Sequence, residues 1–123
     1  MAFYDRGELL AQYGRVYRDK ARQDRRHGSA AVRFVTDAIA TFGPANVRST
    51  VLNEVGLCSA LFLADEPEQA LAVGRRVLHN AHSISSARFI DRVTNLRRDL
   101  ARYHELPDVA AFAQDLAKLK VRR

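Results

Sequence analysis

Residues 46–82 read NVRSTVLNEVGLCSALFLADEPEQALAVGRRVLHNAH, two apolar-patterned segments joined at Ala64-Asp65-Glu66-Pro67. The first carries Leu52, Val55, Leu57, Cys58, Leu61 and Phe62 and the second Ala70, Leu71, Val73, Gly74, Val77 and Leu78, all at helical spacing. The pattern predicts an antiparallel helix pair. Asn46 is placed to cap its first helix and Asp65 its second, with Glu68 in capping-box position and Pro67 in the first turn, where a missing N–H costs little. A pair this short cannot bury both of its faces, so flanking helices are required.

The flanks supply them. Leu9, Leu10, Tyr13, Val16 and Tyr17 form an apolar stripe on a first helix running from about residue 5 to 26, with Gly28 suited to a left-handed stop and Ser29 to a following N-cap. Ala31, Val32, Phe34, Val35, Ala38, Ile39 and Phe42 mark a second helix, ended by Gly43-Pro44. After a polar connection in which Ser85 or Ser86 can cap, Phe89, Val93, Leu96, Leu100 and Tyr103 make a narrow seam on a fifth helix. Its Arg88, Arg92, Arg97, Arg98 and Arg102, balanced by Asp91, Asp99 and Glu105, read as a solvated face of mixed charge. Beyond Pro107, Val109, Phe112, Leu116 and Leu119 lie on one side of a sixth helix. The expectation is an all-α fold of three antiparallel helix pairs in one domain spanning residues 1–123.

The even-numbered helices share a pattern. Ala31, Val35 and Ala38, then Ala70, Gly74 and Val77, then Ala110, Gln114 and Ala117 are triplets at i, i+4 and i+7, offset by 39 and then 40 residues. A small residue opens each, which permits the close helix approach that stacked hairpins need.

Charge is unevenly spread. The net charge is +6, yet residues 15–26 alone carry +4 and residues 118–123 another +4, so the remainder is slightly acidic. A uniformly basic nucleic-acid-binding surface is excluded. The one cysteine, Cys58, sits in an apolar run and indicates a core thiol in a reducing compartment. No apolar run reaches roughly 18 residues and no signal-peptide core follows Met1, so a cytoplasmic protein is expected.

No motif for chemistry emerges. His79 and His82 are three apart but lack a third ligand nearby, and neither a phosphate-binding glycine loop nor a Ser/His/Asp or paired-carboxylate spacing is present. The reading is a non-enzymatic protein without metal or cofactor. Binding is the class that survives.

The central pair resembles a tetratricopeptide (TPR) unit: Leu57-Cys58, Leu61, the turn residue Asp65, then Ala70, Gly74 and Val77 fall at that family's contact positions, with Glu54 where it places an early tryptophan. Residues 13–119 also resemble the TPR-like C-terminal tails of bacterial helix-turn-helix transcription regulators, through Gly43-Pro44 with Arg48-Ser49, the run Glu66-Pro67-Glu68-Gln69-Ala70, and Ser86-Ala87-Arg88 continuing to Leu96 and Leu100. The resemblance implies three pairs stacked as a TPR-like array, serving as an interaction or sensor module that often self-associates. No helix-turn-helix unit precedes it in this sequence, so DNA binding is not carried over.

In such an array the first helix of each pair lines the concave side, and the central one would present Leu52, Val55, Ser59 and Phe62 to a protein or peptide, including a second copy of the chain. The positions that clamp a peptide carboxylate in that family hold Val55, Gly56 and Ser59, which cannot do so. The alternative is nucleic-acid binding through Arg15, Arg18, Arg22 and Arg25, which share one face of the first helix, with Asp19 and Asp24 interrupting.

Overall fold

The computed structural model describes residues 5–43, 47–81 and 86–119, with the backbone alone for 47 and 48. Among them all regular structure is helical: α1 (Arg6–Gln23), α2 (Gly28–Phe42), α3 (Val47–Leu63), α4 (Pro67–Asn80), α5 (Ala87–Leu100) and α6 (Pro107–Ala117), with 3₁₀ turns at Arg25–His27 and Ala101–Tyr103. Asn46, Pro44, His82, Ser85 and the tail cations Lys120, Arg122 and Arg123 lie outside the described residues. No described helix is long and apolar enough to cross a membrane.

The chain ends its helices with local chemistry. Asp5 accepts from the Gly7 amide at 2.7 Å and Ser86 from the Phe89 amide at 3.1 Å, two N-caps that each satisfy an otherwise orphan donor. Gly43, at φ 73°, closes α2 in a conformation that favours glycine. Two expectations fail here. Gly28 is not a left-handed stop but the first residue of α2, with α2 starting directly after the 3₁₀ turn and Ser29 inside it. Asp65 does not cap α4; it stands at φ 64° two residues past the end of α3, with its own N–H on Phe62 and the Glu66 N–H on Leu61, a Schellman closure.

Packing follows small residues. α1 and α2 run antiparallel, with Gly7 beside Phe42 and Gly14 beside Val35. A Cβ at Gly14 would lie 2.6 Å from a Val35 methyl, so glycine sets that close approach. The inward face of α1 is therefore Gly7, Ala11, Gly14, Arg18 and Ala21, while Leu9, Tyr13 and Val16 of the expected core stripe are exposed. α3 is the central element, packed on α1, α2, α4 and α5, and α6 closes against α4 and α5. Phe112 of α6 rests on Gly74 of α4, where a Cβ would meet its ring at 2.4 Å.

The repeat register needs one correction. Ala31, Val35, Ala38, Ala70, Gly74 and Val77 are all buried, but Gln114 and Ala117 are exposed. The α6 positions turned inward are Val109, Phe112 and Leu116, so Ala31, Ala70 and Val109 are spaced by 39 residues at both steps, as are Ala38, Val77 and Leu116.

Cys58 is fully buried, and its Sγ–H points to the Ala70 carbonyl at 3.2 Å. Burial pushes its thiol far above the ordinary value of 9.0. The native state thus keeps a proton that the unfolded chain releases, and stability falls as pH rises past about 9. Urea titrations between pH 8 and 10.5 should show wild type losing stability more steeply than Cys58→Ala, with the difference in slope approaching about 1.4 kcal/mol per pH unit. Equal slopes would remove the buried thiol from the account.

Candidate functional site

The central face of α3 is covered by its own chain. Leu52, Val55, Ser59 and Phe62 are 7, 1, 2 and 1% exposed, because α1 and α5 flank α3 on that side. They cannot serve as the open apolar surface the sequence suggested. What remains accessible is a groove above them, with α1 and α5 as walls and α3 as floor.

Three adjoining cavities trace that groove. One of about 200 Å³ lies between Arg15, Leu52, Arg88 and Arg92. The next, about 170 Å³, shares Arg15 and Arg92 and adds Arg18, Val55 and Ser59. Past Arg22 a third, about 420 Å³, is bounded by Arg25, Phe62, Arg98 and Arg102. From Arg88 to Arg102 the wall follows α5 for roughly 20 Å. Leu52, Val55 with Ser59, and Phe62 underlie successive cavities; Arg15, Arg18 and Arg22 line them from α1, and Arg25, expected on the same helix face, lines the last from the 3₁₀ turn after α1 has ended. The two residue sets that the sequence offered as rivals meet in one place.

The arginines differ in what they hold. Arg22 donates Nε and Nη2 to both oxygens of Asp99, each at 2.8 Å, and Nη1 to Asp19 at 2.5 Å, so its donors are committed. Asp99 is only 3% exposed at its side chain, and the pair, the more enclosed of the two that end on a buried carboxylate, holds α1 to α5. Arg25 donates to the Tyr103 hydroxyl at 3.1 Å and pairs with Asp65 at 3.5 Å, and the Tyr103 hydroxyl in turn donates to Asp65. The Tyr103 hydrogen bond, helped by Arg25, holds the Asp65 carboxyl below its usual range. Two of the four arginines, Arg22 and Arg25, therefore have structural partners, which the reading of a phosphate-binding row did not anticipate.

Arg18 is different. It is 8% exposed, yet it makes no hydrogen bond or ion pair with any described residue. Its guanidinium lies flat on Gly56, where a Cβ would come within 2.7 Å of Nη1 and 3.1 Å of Cζ. A larger side chain at 56 would push the tip of Arg18 aside. Burial, followed by repulsion from Arg92, Arg22 and Arg15, lowers its pKa to about 10, so it stays charged at neutral pH. Across the groove Arg92, taken for a solvated residue, is half-buried and donates Nη1 to the Leu52 carbonyl at 3.1 Å. It has no acidic partner among the described residues, and its pKa is also lowered, first by burial and then by Arg15 and Arg88.

Arg92, Asn95 and Gly56 are the contributors that sequence reasoning passed over. Nothing local marks them, because their role comes from the crossing of three helices. The described residues contain no cluster of three or more side chains fit to hold a metal ion. Compared with known proteins, the chain matches no family model, no curated protein and no solved structure.

Proposed function

We propose that this protein is a non-enzymatic binding module, a TPR-like array of three helix pairs whose groove between α1 and α5 receives an acidic segment of a protein partner. The single observation behind this reading is Arg18, 8% exposed as a residue and without a partner among the described residues, whose guanidinium nitrogens open into a groove walled by further arginines. Those donors are poorly solvated and unclaimed by the chain itself, so an acidic group entering the groove can take them with charge-assisted hydrogen bonds. The constant 39-residue spacing of buried positions in α2, α4 and α6 supports the repeat, and the sequence resemblance is the ground for proposing a role in a bacterial transcription-regulatory system, with the groove as the sensing part.

A protein partner fits better than duplex nucleic acid. Arg18 lies at the bottom of the groove, and Glu8 and Asp19 stand at its edge, an arrangement that a rigid duplex backbone cannot follow but a flexible acidic chain can. Fluorescence anisotropy with a labelled oligoglutamate peptide at low salt tests this. Binding that weakens as salt rises, and falls at least about tenfold in Arg92→Met, is expected. Tighter binding of a DNA duplex of equal charge would transfer the role to nucleic acid, and no binding of either would remove the groove as a site.

A further inference from the structure

We propose that the cavity over Gly56 is a subsite for a phosphate monoester dianion, gripped by Arg15, Arg18 and Arg92. This rests on the groove reading above and specifies the group that the groove selects. The cavity of about 170 Å³ has room for a phosphate and the first atoms that carry it. Asn95 and Ser59 add polar groups to its lining.

Charge selects the ligand. Arg22 spends its charge on Asp19 and Asp99, and those three groups together carry −1. Arg15, Arg18 and Arg92, which have no acidic partner among the described residues, bring the total to +2. A carboxylate would leave half of that uncompensated, whereas a phosphate monoester above its second ionisation, near pH 6, cancels it. Three terminal oxygens also match three guanidinium groups, which bind phosphate with paired, charge-assisted hydrogen bonds. A phosphodiester offers one charge and two free oxygens, and its chain would have to pass through a pocket floored by α3. The crowding that lowers the Arg18 pKa is relieved by such a dianion.

The preorganisation is specific to this seat. Gly56 leaves room for the Arg18 guanidinium over α3, and Val35 sets α1 close to α2 one turn away through Gly14. Arg18, 8% exposed and packed over Gly56, is largely confined before binding, which limits the entropy lost on association.

Calorimetric titration at constant ionic strength, with inorganic phosphate, sulfate and acetate as probes, tests the assignment. Phosphate at pH 7.5 should bind one to one and at least about tenfold more tightly than acetate. Its affinity should drop as pH falls toward 5, while that of sulfate, whose charge is unchanged there, should not. Arg18→Met, which removes a buried charge and should remain folded, and Gly56→Ala, which displaces the guanidinium, should each weaken phosphate at least about tenfold with little effect on acetate. A phosphoserine peptide binding more tightly than free phosphoserine would identify the source as a partner protein, and equal affinities a small metabolite. Phosphate binding no better than acetate, or undiminished in Arg18→Met, overturns the subsite. If oligoglutamate still binds in that event, the acidic groove stands without it; if oligoglutamate fails as well, both fall.

Discussion

Phe62→Arg abolishes the cooperative unfolding transition, because the side chain it replaces is 1% exposed and packs on Tyr103 with ring centroids 5.8 Å apart. Loss of a buried phenylalanine costs about 3–5 kcal/mol and an unpaired interior charge costs several more, against a total stability of about 5–15 kcal/mol. The inserted guanidinium finds no relief in the neighbouring cavity, where Arg22, Arg25, Arg98 and Arg102 already stand. Circular dichroism in a urea series should show no folded baseline, whereas Phe62→Leu retains a transition weakened by about 1–2 kcal/mol. A folded Phe62→Arg that loses self-association would instead place Phe62 on an open surface.

The second large effect is at the bridge between the groove walls. Arg22→Leu strips the Asp99 carboxylate, 3% exposed, of both of its hydrogen bonds. Removing one member of a buried pair costs about 3–5 kcal/mol, because the remaining charge is left in a poorly solvated site. Replacing both members, Arg22→Leu with Asp99→Leu, should recover most of that loss, since two apolar groups carry no desolvation penalty. Urea midpoints for the two single variants and the double variant provide the cycle. A loss below about 1 kcal/mol in Arg22→Leu, or no recovery in the double variant, would mean that solvent reaches Asp99 and that the bridge does not hold the walls.

Much of this architecture is legible from spacing. The seam on α5, the inward side of α6, the Ser86 cap, the Gly43 stop and the buried Cys58 all follow from local patterns that the tertiary structure does not contradict. α1 misleads because residue size and helix approach compete. Leu9, Tyr13 and Val16 form the more hydrophobic stripe, but the Gly7, Ala11 and Gly14 face allows α1 to approach α2 closely, and that contact decides which side turns inward. Asp65 misleads because aspartate favours both N-caps and the left-handed region; here Tyr103 and Arg25 hold its carboxylate on the α5 side.

The site was legible in pieces. Both the α1 arginines and the α3 floor can be picked from the sequence, but their meeting depends on α1 and α3 lying side by side with Gly56 beneath Arg18, a pairing set by distant parts of the chain. The third wall was hidden for a similar reason. On α5 the mixed charges of Arg92 and Asp99 look like an exposed face until α1 is placed against it.

Arg18 also determines how long the unliganded molecule lasts. A pKa lowered from 12.5 to about 10 corresponds to roughly 3 kcal/mol set against the native state, a penalty present throughout the range below pH 10. That is a sizeable share of the stability of a small domain. The proposed anion, once seated on Arg18, would offset that penalty, so the occupied protein should unfold less often and be cleaved more slowly by proteases that attack the open state. With the proposed subsite, abundance in the cell would rise with occupancy.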